Sequence, residues 1–250
     1  MSERLRIISL GVDHLTFRNC LTKVMEWAAD HRSSYVCFAN VHMTIEAYKS
    51  PSFREQLNNA SLVVTDGKPL AVACHALYRK KQERIAGMDF MPAILERANI
   101  EGSTIFLYGS KPDVLEALKK KISGQYPSIT IGGAISPPFR PLQPEEEQEH
   151  IRQINESGAQ LVFVSLGCPK QEKWMATHYK KINAVLLGVG GAFPVTAGLQ
   201  RRSPKWMQNL GLEWLHRLMA EPRRMFRRYF ETNFAFLYLM GVERIKQIVK

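Results

Sequence analysis

The chain lacks any cysteine pair at metal-binding or redox spacing: Cys20, Cys37, Cys74 and Cys168 are scattered singly. That excludes a disulfide framework and a zinc ribbon, and it reads as reduced thiols in a cytoplasmic setting. The seven histidines show no paired ligand spacing either, so no structural metal and no cofactor are expected. Long apolar runs are missing as well. The longest late one, Phe234 to Val242, has nine residues, against the ~20 needed to cross a bilayer. Met1-Ser-Glu-Arg leads straight into a strand-like stretch, without the pattern of a signal peptide. There is no internal repeat and no low-complexity tract.

What is present is size, apolar content and unevenly placed charge. At 250 residues and 45% hydrophobic, the chain can bury one large core with an appendage. Of the formal net charge of +11, residues 201–228 carry +6, from eight Lys/Arg against Glu213 and Glu221. Such asymmetry points to an anionic partner for the C-terminus, or to a solvated basic face. From Pro204 onward, Trp206, Leu210, Trp214, Leu215, Leu218 and Met219 are spaced for one helical face. Beyond Pro222, arginines interleave with Phe226, Tyr229, Phe230, Phe234, Phe236 and Tyr238. A basic, aromatic, amphipathic helix describes a segment that lies on a membrane surface; the plainer alternative is a terminal helix docked on the core. The expected division is 1–203 and 204–250.

Short apolar runs alternate with amphipathic segments. The expected strands are Ile7–Gly11, Tyr35–Ala39, Leu62–Thr65, Ile105–Gly109, Ile129–Gly132, Leu161–Leu166 and Ala184–Val189. The expected helices lie near Phe17–His31, Pro69–Tyr78, Phe90–Ala98, Pro112–Ile122, Glu145–Asn155 and Lys170–Tyr179. This alternation predicts an α/β fold, a mostly parallel sheet with helices on both faces. Ligands of such sheets sit outside the carboxyl ends of the strands. Several strands end there in glycine or a polar residue: Asn40, Asp66-Gly67, Gly109-Ser110, Gly132-Gly133, Gly167 and Gly188-Val-Gly190-Gly191. One glycine is a routine turn residue, but the repetition marks a binding edge.

The densest stretch is Leu166-Gly-Cys-Pro-Lys-Gln-Glu-Lys-Trp174, a strand end, a glycine turn and a helix start. Backbone N–H groups exposed at such a turn bind phosphate. Pro169 suits the first helical position, and Gln171 and Glu172 fall in the opening turn. Asp66 stands at the tip of a buried strand, placed to take a proton from a hydroxyl; an Asp-Gly turn or a helix N-cap is the alternative. Asn40 suits a hydroxyl contact, and His42 is a second candidate base. Arg84 suits a bidentate diphosphate clamp, or an ion pair with Glu83 or Asp89. Gly188-Val-Gly190-Gly191 lacks the spacing and the following acid of a dinucleotide fingerprint, which speaks against a nicotinamide oxidoreductase.

Together these motifs resemble the WecG/TagA/CpsF family of bacterial glycosyltransferases (glycosyltransferase family 26). The matching strings are Asn40-Val-His42, Thr65-Asp-Gly67, Glu83-Arg-Ile-Ala-Gly-Met-Asp89, Phe106-Leu-Tyr-Gly-Ser110, Leu166-Gly-Cys-Pro-Lys-Gln-Glu172 and Gly188-Val-Gly-Gly191. They continue through Ala197-Gly-Leu-Gln-Arg-Arg-Ser-Pro204, Leu212-Glu-Trp-Leu-His-Arg-Leu218 and Glu221-Pro-Arg-Arg224. The resemblance implies a Rossmann-like core and an inverting, metal-independent transfer from a UDP-sugar donor to a polyprenyl-diphosphate-linked acceptor. It places the protein peripherally on the inner face of the cell membrane, and it has been associated with homo-oligomers.

By the same resemblance Asp66 is the general base, with Arg84 and Gln171 in the active-site pocket. Arg217, Arg224 and Arg227 belong to a tail that docks on the membrane and closes over the diphosphate. The remaining substrate-binding candidates are Asn40, His42, Gly109, Ser110, Gly132, Gly167, Glu172, Gly190 and Gly191. Two positions depart from family members that transfer N-acetylmannosamine: Phe38 replaces Thr, and Pro194 replaces Asp. The wording around Asn40, Lys68 and Met88 is closer to exopolysaccharide-type members, some of which resemble glucose transferases. An N-acetylmannosaminyl or uronic-acid transferase of teichoic-acid or enterobacterial-antigen type is the nearer rival. A nucleic-acid-binding protein with a basic tail is the rival from another class, although no nucleic acid partner is expected.

Overall fold

The computed structural model describes residues 2–220 and 222–248; within its helices the side chains of 209, 217, 220, 224, 225, 227, 228 and 248 are not described. Six parallel strands form the sheet: β3 (Ser34–Ala39), β4 (Leu62–Thr65), β5 (Thr104–Gly109), β6 (Thr130–Ile135), β7 (Leu161–Ser165) and β8 (Val185–Gly188). Their spatial order is β4-β3-β8-β7-β5-β6. The α/β expectation holds. The expected first strand is instead an antiparallel hairpin, β1 (Arg4–Ile7) and β2 (Leu10–Asp13), turning at Ile8 with φ +59°. No glycine or proline marks that turn, so the two strands read as one.

Strands covered on both faces need apolar side chains at successive positions, and β3 shows it in Tyr35-Val-Cys-Phe-Ala39. Tyr35, Cys37 and Ala39 pack into one core, and Val36 and Phe38 into the other. The first core is closed by the hairpin and by α2 (Val41–Lys49), α3 (Pro51–Asn58), α4 (Lys68–Tyr78), α7 (Pro144–Glu156) and α8 (Lys170–His178). The second is closed by α1 (Phe17–Ala29), α5 (Gly87–Glu101), α6 (Pro112–Gln125) and α9 (Ala192–Thr196). Helices therefore cover both faces.

The sequence reading had no helix between β3 and β4, where α2 and α3 stand. Their start signals are present nonetheless: Asn40 Oδ1 accepts the Met43 N–H at 3.1 Å, and Ser50 precedes Pro51 as the cap of α3. Adjacent strands β3 and β8 send their following helices, α2 and α9, to opposite faces of the sheet. That divergence opens a crevice at the carboxyl edge.

After the sheet come α10 (Lys205–Leu210), α11 (Glu213–Ala220) and the long α12 (Pro222–Ile248), a helical C-terminal appendage. Helix α12 lies along α2 and buries Thr232 and Phe236. Three other aromatic residues stay outside: Phe226, Phe230 and Phe234 are each more than half exposed. No helix among the described residues is long and apolar enough to cross a membrane.

Candidate active site

Two hollows meet at the carboxyl edge of the sheet. The larger, about 610 Å³, runs over the ends of β3, β8, β7 and β5. Ser110, Gly167, Gln171, Gly190 and Gly191 line it. The smaller, about 130 Å³, lies between the sheet and the appendage, bounded by His42, Lys68 and Arg84 on one side and Trp214, Tyr229 and Thr232 on the other. Asn40, Asp66 and Met88 line both.

Asp66 reaches this junction because β4 ends at Thr65 and its own N–H donates to the Ala39 carbonyl at 2.8 Å. That bond continues the ladder to β3 and sets the side chain at the strand tip. The N-cap alternative fails: the cap of α4 is Gly67, which offers no side chain. Asn40 has its carbonyl committed to capping α2, so the group it can offer a ligand is its amide nitrogen. His42 lines only the smaller hollow.

At the phosphate-type turn, Gly167 has φ +78° with open space where a Cβ would stand. Pro169 is the N-cap of α8 and not its first residue. Gln171 and Glu172 do not both face outward. Gln171 lines the larger hollow, its Nε2 donating to the Gly188 carbonyl at 2.9 Å and to Glu172 at 2.6 Å. Its buried Oε1 has no hydrogen-bond partner among the described residues. Glu172 is fully buried behind it and lines neither hollow. Glu172 is therefore a positioning residue for Gln171, because the helix turns position 172 toward the sheet.

Two glycines expected at the binding edge serve packing. Strand β6 continues past Gly132 to Ile135, and Gly132 is the extra residue of a bulge between the pairs Ile105↔Ile131 and Phe106↔Gly133. It packs against Ser157 and lines neither hollow. Gly109 has φ +107°, and a Cβ there would lie 2.4 Å from the Ser165 carbonyl oxygen. It lets β5 pass close to β7, delivering Ser110 to the hollow, and does not line it.

Arg84 lines the smaller hollow but holds carboxylates in this structure: Asp89 at 2.8 Å and Glu213 of the appendage. Arg202 joins the same group, with two hydrogen bonds to Asp89 at 2.6 and 2.9 Å and a longer contact to Glu213 at 3.4 Å. Burial is the largest single influence and works against the Arg202 charge, yet its hydrogen bonds to Asp89 and the charges of Asp89 and Glu213 together outweigh it and hold the guanidinium above its ordinary pKa. The Asp89 pairing was one of the two sequence alternatives. Glu213 was unforeseen, since it lies 129 residues away in sequence. Helices α11 and α12 carry Arg217, Arg224 and Arg227, whose side chains lie outside the described residues.

Lining residues missed by the sequence reading include Lys68, Lys111, Asp113, Ser165, Gln200, Glu213, Trp214, Tyr229, Thr232 and Asn233. Lys68 and Lys111 follow strand-end residues already singled out, so proximity could have found them. The appendage residues had no such signal. Among the described residues no group of three His, Cys, Asp or Glu side chains is placed to hold a metal ion.

A half-buried carboxylate between two hollows, one of nucleotide-sugar size, fits the chemistry of group transfer to a hydroxyl. The sequence agrees independently: the model of the glycosyl transferase WecG/TagA/CpsF family matches residues 5–250, and the chain belongs to that glycosyltransferase family.

Proposed function

We propose that the protein moves a hexose or N-acetylhexosamine from a UDP-sugar to a saccharide carried on a polyprenyl diphosphate, in bacterial exopolysaccharide or cell-surface polymer synthesis. The observation that carries this reading is the placement of Asp66 where the two hollows meet. The donor occupies the larger hollow and the acceptor sugar the smaller, so the attacking hydroxyl and the anomeric carbon face each other beside one carboxylate.

The step is a single in-line displacement. The acceptor oxygen forms its bond to the anomeric carbon from the face opposite the nucleotide, and Asp66 takes the hydroxyl proton. The bond to the nucleotide oxygen breaks, and its electron pair leaves on UDP. The N-terminal end of α8 and Lys111 supply positive potential for that oxygen. Arg217, Arg224 and Arg227 add charge when the appendage sits over the loaded site. Gln171, fixed by Glu172 and Gly188, orients the donor.

Phe38 and Pro194 both line the larger hollow. The two positions that depart from N-acetylmannosamine transferases therefore border the proposed donor site, where they put apolar surface in place of polar groups. The exposed aromatic residues of α12 and the arginines of 201–228 suit a peripheral seat on an anionic bilayer.

The test is Asp66→Asn with product mass measured on a panel of UDP-sugars and a short-chain lipid-diphosphate acceptor. Turnover is expected to fall roughly 10²–10⁴-fold with UDP affinity retained. Turnover near that of the unaltered protein removes Asp66 as the base.

A further inference from the structure

A third hollow of about 440 Å³ opens on the outer side of the acceptor cavity and shares Lys68 and Arg84 with it. Lys68, Val72 and His75 follow one another at helical spacing along α4, so they present a single face. Lys81 closes one end and Gln208 of α10 the other wall. The stem of Lys68 lies against Gly211, where α10 turns into α11. Lys68, Lys81 and Arg84 are the cationic lining residues and none of the lining is acidic, although Arg84 is itself paired with Asp89 and Glu213 behind the wall. Val72, 56% exposed, forms an apolar floor. Helix α10 also exposes Trp206 and Leu210.

A cationic rim around an apolar floor matches one ligand chemistry, a phosphate ester joined to a hydrocarbon chain. We propose that this trough seats the prenyl diphosphate end of the acceptor. The diphosphate sits at the neck beside Lys68, with Lys81 and His75 donating from farther out, while Arg84, held by Asp89 and Glu213, bounds the inner end. The first isoprenoid units lie over Val72. The saccharide then points inward through the neck toward Asp66. The proposal rests on reading the smaller cavity as the acceptor site, and it adds the residues that hold the lipid carrier outside that cavity.

The test is titration calorimetry on the full-length protein with farnesyl diphosphate, with inorganic pyrophosphate, and with vesicles containing anionic phospholipid. His75→Ala/Lys81→Ala is expected to weaken both diphosphates about tenfold, the scale of losing two charge-assisted contacts. Val72→Asn weakens farnesyl diphosphate and leaves pyrophosphate unchanged. Both variants keep the melting temperature and UDP affinity of the unaltered protein. Unchanged farnesyl diphosphate affinity in the double variant overturns the proposal. So does loss of vesicle binding with farnesyl diphosphate binding intact, which would make the trough a headgroup site. These titrations need no turnover, so a failure of the Asp66 experiment and a failure here are read separately.

Discussion

The sheet core and the C-terminal appendage solve opposite problems. In the core, apolar side chains on both faces of β3, β4, β5, β7 and β8 are almost wholly buried, and the polar groups that line the hollows emerge at the carboxyl edge. The appendage meets the core along one apolar seam, where Phe236, Leu239 and Met240 pack, and otherwise through charged and polar groups: Glu213 to Arg84 and Arg202, Glu243 to Arg6 at 3.8 Å, and Arg244 to the Ala76 carbonyl at 2.8 Å. It leaves Phe226, Phe230 and Phe234 outside. Burial at about 25 cal/mol per Å² makes the first kind of packing strong, whereas partly exposed ion pairs contribute little. The core is built to hold an edge rigid, and the appendage to be held by one apolar seam and weak ion pairs while offering apolar surface elsewhere.

The largest effect expected from this contrast lies in the core. Gly109→Ala places a methyl group against the Ser165 backbone and forces an L-residue to φ +107°. The cost is about 3 kcal/mol, or roughly 6–12 °C in melting temperature for a chain of this size. Calorimetry checks it; a shift under about 2 °C would mean that the β5–β7 approach is not tight.

Next comes the appendage. Phe226→Glu/Phe230→Glu/Phe234→Glu removes apolar area that is already 57–65% exposed. The melting temperature should hold, while binding to anionic vesicles falls about 100-fold. Vesicle sedimentation decides this. Loss of stability without loss of vesicle binding would reverse the roles assigned to the two regions.

The same contrast explains what the sequence disclosed. Core strands are legible because burial on both faces demands unbroken apolar runs, and Leu62–Thr65 was located to the residue. Asp66 and Asn40 were legible as the polar residues that end such runs. The two glycines of β6 carried the same signature for another reason: Gly132 makes a bulge, and Gly133 leaves room for the Phe106 ring, which a Cβ would meet at 2.4 Å. Local sequence does not separate a glycine that meets a ligand from one that meets a phenyl ring. Trp214, Tyr229 and Thr232 were illegible at the site because their places depend on how α11 and α12 lie over strands formed about 150 residues earlier. Glu172 went wrong for a smaller reason: one step along a helix rotates a side chain about 100°, enough to turn it from cleft to core.

A subtler break targets the ionic hinge between the regions. Glu213→Gln removes the carboxylate that Arg84 and Arg202 share. Its side chain is one quarter exposed, so solvent screens the pairs and the loss is about 1 kcal/mol. The expected sign is faster proteolysis within α11 and α12, with the core melting temperature unchanged. In the unaltered protein added salt should mimic the substitution. Equal cleavage rates at low salt would show that apolar contacts, not these charges, fix the appendage.

The smallest expected effect returns to the core, at the cluster where Tyr108 stacks on Trp174 and His178 meets Glu147 at 2.9 Å. Burial lowers the His178 pKa below 6.5 despite the neighbouring carboxylate, and burial lowers that of His150 as well. A histidine kept neutral in the folded state binds fewer protons than in the unfolded chain. Its contribution is therefore complete above the unfolded pKa and is lost as pH falls through 6.5 toward the lower folded value. Stability measured by urea unfolding should decline between about pH 6.5 and 5. His178→Gln, which keeps a donor for Glu147, should flatten that slope even if it lowers stability at neutral pH. The Glu213→Gln protein should show the full slope, since its altered contact lies in the other region. A slope unchanged by His178→Gln would assign the acid sensitivity to His150, whose ring is the less buried of the two.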